Sequence, residues 1–261
     1  MLRFGKRVHK SALDDVVVDV SEKDGVRSLH LGSEAIQSSM RIRDPYELVL
    51  GYSRCMFAFL LFREAPANAL VLGLGGGSIP KFLHRYFPGT QTVTVELLPQ
   101  IVHIARSMFH LPEDDERLQV VITDAAAYID GMTAPVDLIL HDAFGPAGIV
   151  EALSSTSFFE ACRDRLTRDG CLVVNLWGSD PRFQEHLARL STAFDGRVLC
   201  LPARQRGNIT VLCFRRTNHD PTWASLKERA AILESHFPLE FVEFVSDLAR
   251  MNDHNERRLH I

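Results

Sequence analysis

The sequence predicts an α/β fold with a parallel central sheet, preceded by a small N-terminal β-hairpin unit. Apolar runs of strand length alternate with amphipathic runs of helical length from residue 69 to residue 214, and this alternation is typical of a parallel sheet with helices on both faces. The chain has 261 residues, of which 46% are hydrophobic and 24% are charged. It can therefore bury a large core as an ordinary globular protein.

The first segment, residues 1–64, is expected to contain the β-hairpin unit and a linking helix. Residues 16–20 and 26–31 alternate in a strand-like way around a turn at residues 22–25, which is typical of a hairpin. The apolar run over residues 47–62 then predicts the linking helix.

The second segment, residues 65–216, is expected to form the main α/β domain, and the third, residues 217–261, a C-terminal helical appendage. The third segment is amphipathic and interrupted at Phe237 and Pro238, so it suits packing against the main domain or contact with another subunit. Strands of the main domain are expected at residues 69–74, 92–96, 118–123, 136–142, 171–176, 197–201 and 209–214, and helices at residues 79–86, 99–109, 125–129, 157–166 and 181–194.

A glycine-rich turn after the first strand of the main domain is the most informative motif. Residues 70–80 read LVLGLGGGSIP, and such glycines allow a tight turn and the close approach of a ligand to bare backbone. A glutamate ends the next strand, where it can accept hydrogen bonds from both hydroxyls of a ribose. The serine after the last glycine departs from the G-x-G-x-x-G spacing that suits NAD. The residues predicted to bind a nucleoside here are Gly73, Gly75, Gly76, Gly77, Ser78 and Glu96.

A second carboxylate follows the third strand of the main domain. Asp124 would lie at the strand end, where its side chain and the backbone N–H of Ala125 could bind the edge of an adenine. S-adenosylmethionine or a relative of it fits this pair of carboxylates best. Asp124 is equally well placed as the N-cap of the next helix, and the two roles are compatible.

Asp142 ends the fourth strand of the main domain, and open parallel sheets bind ligands at that edge. An acid there could orient or deprotonate an amine, because the ammonium form has no lone pair with which to attack. The alternative role for Asp142 is a helix or turn cap. Residues 143–149 contain glycine and proline and could cover a pocket, whereas His141 is expected to pack in the core.

The charge balance and the cysteines exclude several classes of partner. The net charge of −4 and the pI of about 6.3 give no general electrostatic reason to bind nucleic acid or an anionic membrane. The five cysteines are scattered without a Cys-x-x-Cys motif, so we expect reduced core residues and no metal site. The longest apolar stretch, residues 55–62, is too short to span a bilayer, and a cytoplasmic location is expected.

Through these motifs the chain resembles the spermidine synthase, or polyamine aminopropyltransferase, family, which has a Rossmann-like S-adenosylmethionine-dependent transferase fold. The resemblance covers roughly residues 37–214. It implies that Glu96 binds the ribose, that Asp124 binds adenine and that Asp142 is the base for the attacking amine. It further implies that Gln37 faces the cofactor. We also expect contacts of the acceptor amine with Tyr52, Asp142 and Phe144, and a homodimer.

The chain departs from the family pattern where the family binds amines. Ser78 replaces an aspartate that holds the amine of the aminopropyl group, and Gly145 replaces a second acid that helps to hold a diamine. Residues 52–54 are Tyr-Ser-Arg where the family has Tyr-His-Glu, and Asn175 corresponds to a glutamine of the family. The polyamine site is therefore weakened, while the nucleoside site is retained.

The leading hypothesis is a transferase that moves an aminopropyl group from decarboxylated S-adenosylmethionine to an amine, with Asp142 as the base. Two alternatives stay open. An S-adenosylmethionine-dependent methyltransferase is favoured by Ser78, because an acid there would repel the carboxylate of the intact cofactor. A non-catalytic nucleoside-binding protein is favoured by the missing acids.

Overall fold

The computed structural model describes residues 5–13, 16–32, 35–145, 148–204, 207–217 and 220–261. The chain begins with a four-stranded antiparallel sheet, whose strands follow one another in space as they do in sequence. The predicted hairpin forms its second and third strands, and two flanking strands extend it. The flanking strands carry many charged and polar residues, which gives a weak strand signal. The strands are β1 (Lys6–Leu13), β2 (Val16–Lys23), β3 (Val26–Leu31) and β4 (Ile36–Arg41).

The linking helix is shorter than the predicted range of residues 47–62. It consists of α1 (Gly51–Cys55), which continues into a 3-10 helix at Met56–Leu61. All six residues of the 3-10 helix are apolar and buried. A segment that is buried on every side gains its stability from packing, so its apolar run does not fix the type of helix.

A seven-stranded sheet forms the centre of the main domain, and a short two-stranded hairpin accompanies it. The strands are β5 (Asn68–Leu72), β6 (Gln91–Glu96), β7 (Leu118–Ile122), β8 (Val136–His141), β9 (Phe144–Gly145), β10 (Gly148–Ile149), β11 (Leu166–Trp177), β12 (Val198–Pro202) and β13 (Asn208–Phe214). The order in the seven-stranded sheet is β12-β13-β11-β8-β5-β6-β7, and β9 and β10 form the hairpin.

Helices follow most of these strands, as the alternation predicts. The helix predicted at residues 99–109 has those bounds, and the others differ by a few residues at their ends. A 3-10 turn at Glu151–Leu153 precedes the fifth helix. The helices are α2 (Ser78–Tyr86), α3 (Pro99–Phe109), α4 (Ala125–Gly131), α5 (Thr156–Asp164), α6 (Phe183–Ala193), α7 (Trp223–His236) and α8 (Phe241–Leu248).

The central sheet is mostly parallel, which confirms the fold class expected from the sequence, and one of its strands runs antiparallel to its neighbours. β13 lies between β11 and β12 and is antiparallel to both. It follows β12 after a short connection, and a short connection between neighbouring strands forces them to be antiparallel. Apolar patterning marks a buried strand but carries no information about its direction.

Apolar clusters fill both faces of the central sheet. One face packs against the 3-10 helix at Met56–Leu61, α2 and the C-terminal helices α7 and α8. The other face packs against α4, α5 and α6. All five cysteines are buried and free, as the sequence predicts. No helix in the described ranges is long and apolar enough to cross a membrane.

Candidate active site

A cavity of about 320 Å³ lies at the carboxyl edge of the central sheet. The ends of β5, β6, β8 and β11 form its floor, while β4 and α1 contribute the wall from the N-terminal side. Gly76 and Gly77 are the predicted site residues that do not line it. The predicted residues that do line it are Gln37, Tyr52, Gly73, Gly75, Ser78, Glu96, Asp124, Ala125, Asp142 and Phe144.

The glycine turn is shaped by close contacts of its backbone. Gly73 has a φ of +92°, and a Cβ there would lie 2.5 Å from the carbonyl oxygen of Asp142. A Cβ on Gly76 would lie 2.8 Å from both the Phe109 ring and Ser38 Oγ. At Gly76 the absence of a side chain therefore serves packing beneath the cavity, which the motif alone does not distinguish from ligand contact.

Glu96 ends β6 and braces the glycine turn. Its Oε2 accepts a hydrogen bond of 3.1 Å from the Leu74 N–H, and its Oε1 accepts one of 3.0 Å from the Leu98 N–H. Burial raises the pKa of the carboxyl group, and the backbone hydrogen bonds oppose that rise. The same carboxylate lines the cavity, so it can accept ribose hydroxyls on its remaining lone pairs.

Asp124 is the N-cap of α4, as one of its two predicted roles requires. Its Oδ1 accepts a hydrogen bond of 2.9 Å from the Ala127 N–H. The residue is exposed on the cavity side, next to the buried Ala125. Its second oxygen leaves room for a ligand contact, and the adenine contact stays a prediction.

Asp142 follows β8 directly and is held by two side chains. Tyr52 donates to Oδ2 over 3.1 Å, and Asn175 Nδ2 donates to Oδ1 over 2.9 Å. Burial raises the pKa of the Asp142 carboxyl to about 7, and the two hydrogen bonds oppose this rise. The group can therefore both hold and release a proton near neutral pH, as a general base must.

His141 packs in the core, as the sequence predicts. Its Nε2 donates to the carbonyl oxygen of Leu153 over 2.8 Å, and its Nδ1 accepts from the Ala143 N–H over 3.4 Å. Burial lowers the pKa of the imidazole to about 4, so the ring is neutral. It anchors the loop after Asp142 to the segment before α5 and faces away from the cavity lining.

Gln37 lies on β4 and lines the cavity. Its carbonyl oxygen lies 3.1 Å from the Tyr52 hydroxyl oxygen, as a second acceptor for the single hydroxyl proton that also faces Asp142. Its side-chain Nε2 is buried and finds no acceptor in the part of the chain that the structure describes. A buried donor without an acceptor is costly, so a ligand atom in the cavity is its natural partner.

The cavity residues that were not predicted from the sequence include Ser38, Trp177 and Asn208. Ser38 Oγ lies 3.3 Å from Ser78 Oγ. The Trp177 ring stacks on Phe144, with 5.7 Å between centroids and 19° between planes. Trp177 comes two positions after Asn175, so strand alternation could have indicated that it shares a face with Asn175. Asn208 has no such signal.

The covering loop predicted at residues 143–149 contains the β9–β10 hairpin. Pro146 and Ala147 lie outside the described residues. Within the described ranges, no group of three or more His, Cys, Asp or Glu residues could hold a metal ion.

Comparison with known proteins places this architecture in a family. The model of the spermine/spermidine synthase domain matches residues 49–199. A polyamine aminopropyltransferase of Chromobacterium violaceum is 43% identical over 249 residues, which cover 95% of each chain.

Solved structures share the fold. A spermidine synthase in complex with the transition-state analogue AdoDATO has a TM-score of 0.75 at 17% identity, covering 93% of this chain and 85% of that one. Human methyltransferase-like protein 13 in complex with SAH has a TM-score of 0.65 at 27% identity, covering 71% of this chain and 91% of that one. Because the domain match spans most of the chain and the relative is similar over nearly its whole length, the chain belongs to the spermine/spermidine synthase family.

Proposed function

We propose that this chain transfers the aminopropyl group of decarboxylated S-adenosylmethionine to an amine. The observation that carries the proposal is the position of Asp142, a carboxyl with a pKa of about 7, in the middle of the cavity floor. The Chromobacterium violaceum relative, at 43% identity, is named for aminopropyl transfer. Its name supports the choice of transferred group.

The order of the strands supports a position for each substrate. Asp124 follows β7, Glu96 ends β6, and the glycine turn follows β5. Neighbouring strands lie about 4.8 Å apart, so a nucleoside across β7, β6 and β5 brings its sulfonium toward Asp142 at the end of β8. The acceptor amine would then lie beyond Asp142, over β11 and β13, against the stacked rings of Phe144 and Trp177.

The charges of the cavity support cationic substrates. Three lining residues are acids, namely Glu96, Asp124 and Asp142, and no described lining residue is Lys, Arg or His. The donor carries a sulfonium and an ammonium, and the acceptor is an amine. A cavity lined by one sign of charge concentrates ligands of the opposite sign.

In this proposal Asp142 accepts the proton that the attacking nitrogen loses. The amine lone pair forms a bond to the aminopropyl carbon attached to sulfur. The carbon–sulfur bond breaks, and its electron pair returns to sulfur, so that the sulfonium becomes the neutral thioether methylthioadenosine. Holding the nitrogen, carbon and sulfur in line contributes roughly 7–11 kcal/mol, and the base adds about 10²–10⁴-fold.

Product analysis tests the proposal. The protein is incubated with decarboxylated S-adenosylmethionine and a panel of amines, and both products are identified by mass spectrometry. We expect methylthioadenosine and an amine lengthened by one aminopropyl unit, in equal amounts. Tight binding of methylthioadenosine without any turnover would instead support the non-catalytic nucleoside-binding alternative and contradict aminopropyl transfer.

A methyltransferase is the second candidate function. The Ser38–Ser78 hydroxyl pair favours it, because neutral groups at this wall tolerate the carboxylate of intact S-adenosylmethionine. The likeness to methyltransferase-like protein 13, solved with SAH, supports the same reading. Incubation with S-adenosylmethionine separates the two candidates: S-adenosylhomocysteine and a methylated acceptor support methyl transfer, and their absence argues against it.

The expected homodimer and the expected cytoplasmic location stay predictions that accompany this proposal. Light scattering coupled to gel filtration measures the mass of the particle in solution. A mass near twice 29.4 kDa would support the dimer, and a mass near one chain would contradict it.

A further inference from the structure

A directed chain of hydrogen bonds runs from β13 to Asp142. Asn208 Nδ2 donates to Asn175 Oδ1 over 3.0 Å, and Asn175 Nδ2 donates to Asp142 Oδ1 over 2.9 Å. Asn175 and Asn208 are only 2% and 6% exposed, and all three residues line the cavity. Neither of these hydrogen bonds joins Asn208 to Asp142 directly. Through this chain, Asn208 therefore affects the carboxylate by way of Asn175.

The direction of this chain follows from the chemistry of the groups. An ionised carboxylate only accepts hydrogen bonds, so Asn175 must present its NH₂ group to Asp142. That orientation turns the carbonyl oxygen of the Asn175 amide toward β13, where it needs a donor. Asn208 supplies this donor, so both ends of the Asn175 amide are fixed, and without it only Asp142 distinguishes the two ends.

The backbone around Asn208 is firmly held. Asn208 pairs with Trp177 and Thr210 pairs with Asn175 in the antiparallel ladder of β13 and β11. The Asn208 carbonyl oxygen accepts from the Ala203 N–H over 2.8 Å. The donor is therefore delivered from a rigid strand and not from a loop.

We propose that Asn208 is a positioning residue that locks the Asn175 amide with its NH₂ group toward Asp142. The proposal rests on the function proposed above for Asp142. It goes beyond that function because it assigns a role to a residue that is separated from Asp142 by two hydrogen bonds. When Asn208 cannot donate, the amide turns, and its carbonyl oxygen faces the carboxylate. Two acceptors then oppose each other in a buried site, which favours the protonated carboxyl.

The groups that face Asp142 are few. Tyr52 approaches from α1 and Asn175 from β11, while the backbone of Gly73 packs against it from the end of β5. Glu96 and Asp124 are the other acids of the cavity lining. Glu96 and Asp124 stay unchanged in the variants below, but Asn208→Asp adds a carboxylate that itself raises the pKa of Asp142 by charge repulsion. The uncharged Asn208→Leu therefore reports on the amide chain alone.

Two substitutions at Asn208 test the proposal, and a third serves as a matched control. Asn208→Asp removes the donor and offers an acceptor, which draws the NH₂ group of Asn175 away from Asp142. Asn208→Leu removes both donor and acceptor at similar volume. Thr210→Val, opposite Asn175 in the ladder, deletes a buried hydroxyl that has no hydrogen-bond partner among the described residues. It therefore alters the surroundings of Asn175 while leaving both hydrogen bonds of the chain in place.

The titration of Asp142 is read directly by NMR of protein labelled with ¹³C at the aspartate carboxyl groups. The Asp142→Asn variant assigns the resonance. We expect both Asn208 variants to raise the pKa of Asp142 by about one unit or more, with the larger shift in Asn208→Asp, and Thr210→Val to leave it unchanged. The affinity for methylthioadenosine, measured by calorimetry, should stay within about twofold in all three variants.

Turnover gives an independent readout. In the Asn208 variants the pH profile of kcat/KM should move to higher pH by the same amount, so activity lost at neutral pH returns at higher pH. An unchanged titration of Asp142 in Asn208→Leu would overturn the inference, as would a parallel loss of methylthioadenosine binding. The NMR measurement needs no turnover, so a failure of the proposed transferase activity is distinguishable from a failure of this inference.

Discussion

The Tyr52 hydroxyl donates a hydrogen bond of 3.1 Å to Asp142 Oδ2, which ties the helix before the main domain to the candidate base. The same hydroxyl lies 3.1 Å from the carbonyl oxygen of Gln37 on β4. Tyr52 thus joins the N-terminal β unit to the carboxyl edge of the central sheet. The position of the base therefore depends on both parts of the chain.

Tyr52→Phe should raise the pKa of Asp142, because a hydrogen bond that favours the carboxylate is lost. A hydrogen bond to a charged group contributes about 1.5–3 kcal/mol, so kcat/KM at neutral pH should fall by about tenfold or more. The affinity for methylthioadenosine should change little. Tyr46→Phe, which alters a tyrosine outside the cavity lining, is the control. Equal losses in both variants would contradict a specific role for Tyr52.

Glu96→Gln should weaken nucleoside binding and lower the melting temperature together. The carboxylate accepts backbone hydrogen bonds at both oxygens, whereas the NH₂ group of glutamine would oppose one of those N–H groups. The lost charge-assisted bonds correspond to about a tenfold to hundredfold loss in affinity. Calorimetry with methylthioadenosine measures this, with Glu116→Gln at an exposed glutamate as the control. Unchanged affinity would remove Glu96 from the site.

Ser78→Asp should change the preference between donors. Ser78 lines the cavity beside Ser38, and a carboxylate there would attract the ammonium of decarboxylated S-adenosylmethionine and repel the carboxylate of the intact form. The ratio of the two affinities should move by about tenfold or more toward the decarboxylated donor. Competition calorimetry against methylthioadenosine, which lacks both tail charges, measures the ratio. An unchanged ratio would place the donor's tail elsewhere.

Lys81 is fully buried, and its Nζ donates to the carbonyl oxygen of Phe109 over 2.6 Å. Burial lowers the pKa of this ammonium from 10.5 to about 7. Between those values the unfolded chain binds one proton more than the folded chain, so stability rises with pH in that window. Below about pH 7 both states are protonated, and the cost of burying the charge is fully present.

The variant Lys81→Met tests this contribution. The free energy of unfolding of the wild type, relative to the variant, should rise by up to about 1.4 kcal/mol per pH unit above neutral pH. Urea denaturation at several pH values measures the difference. If the difference in the free energy of unfolding between wild type and variant did not depend on pH, the pKa of Lys81 would not be lowered by folding.

Much of the site could be predicted because it lies at strand ends. Glu96, Asp124 and Asp142 each end or follow a strand, and in a parallel sheet such positions meet at one edge whatever the exact register. Gln37 lies outside that logic, and the resemblance to a known family was needed to nominate it. Gln37 belongs to the cavity wall that the N-terminal sheet contributes. No local sequence pattern predicts how that sheet packs on the glycine turn.

Asn208 could not be predicted from the sequence. Asn208 reaches Asn175 because β13 lies between β11 and β12 and is antiparallel to both. The apolar patterns of these strands predict neither their order in the sheet nor their direction. The glycine turn has a packing role that its motif does not indicate. Ligand contacts at Gly76 and Gly77 stay a prediction, and a Cβ on either residue would lie 2.8 Å from a neighbouring side-chain atom.

The most direct test of the account is a single-turnover measurement with the donor already bound, in wild type and in Asp142→Asn. We expect the variant to bind methylthioadenosine within about twofold of the wild type, while the rate of aminopropyl transfer falls by about 10²–10⁴-fold. The wild-type rate should rise with pH through about 7, where Asp142 loses its proton, and the residual rate of the variant should lack that step. Equal losses of binding and rate, or no loss of either, would contradict the assignment of Asp142 as the base.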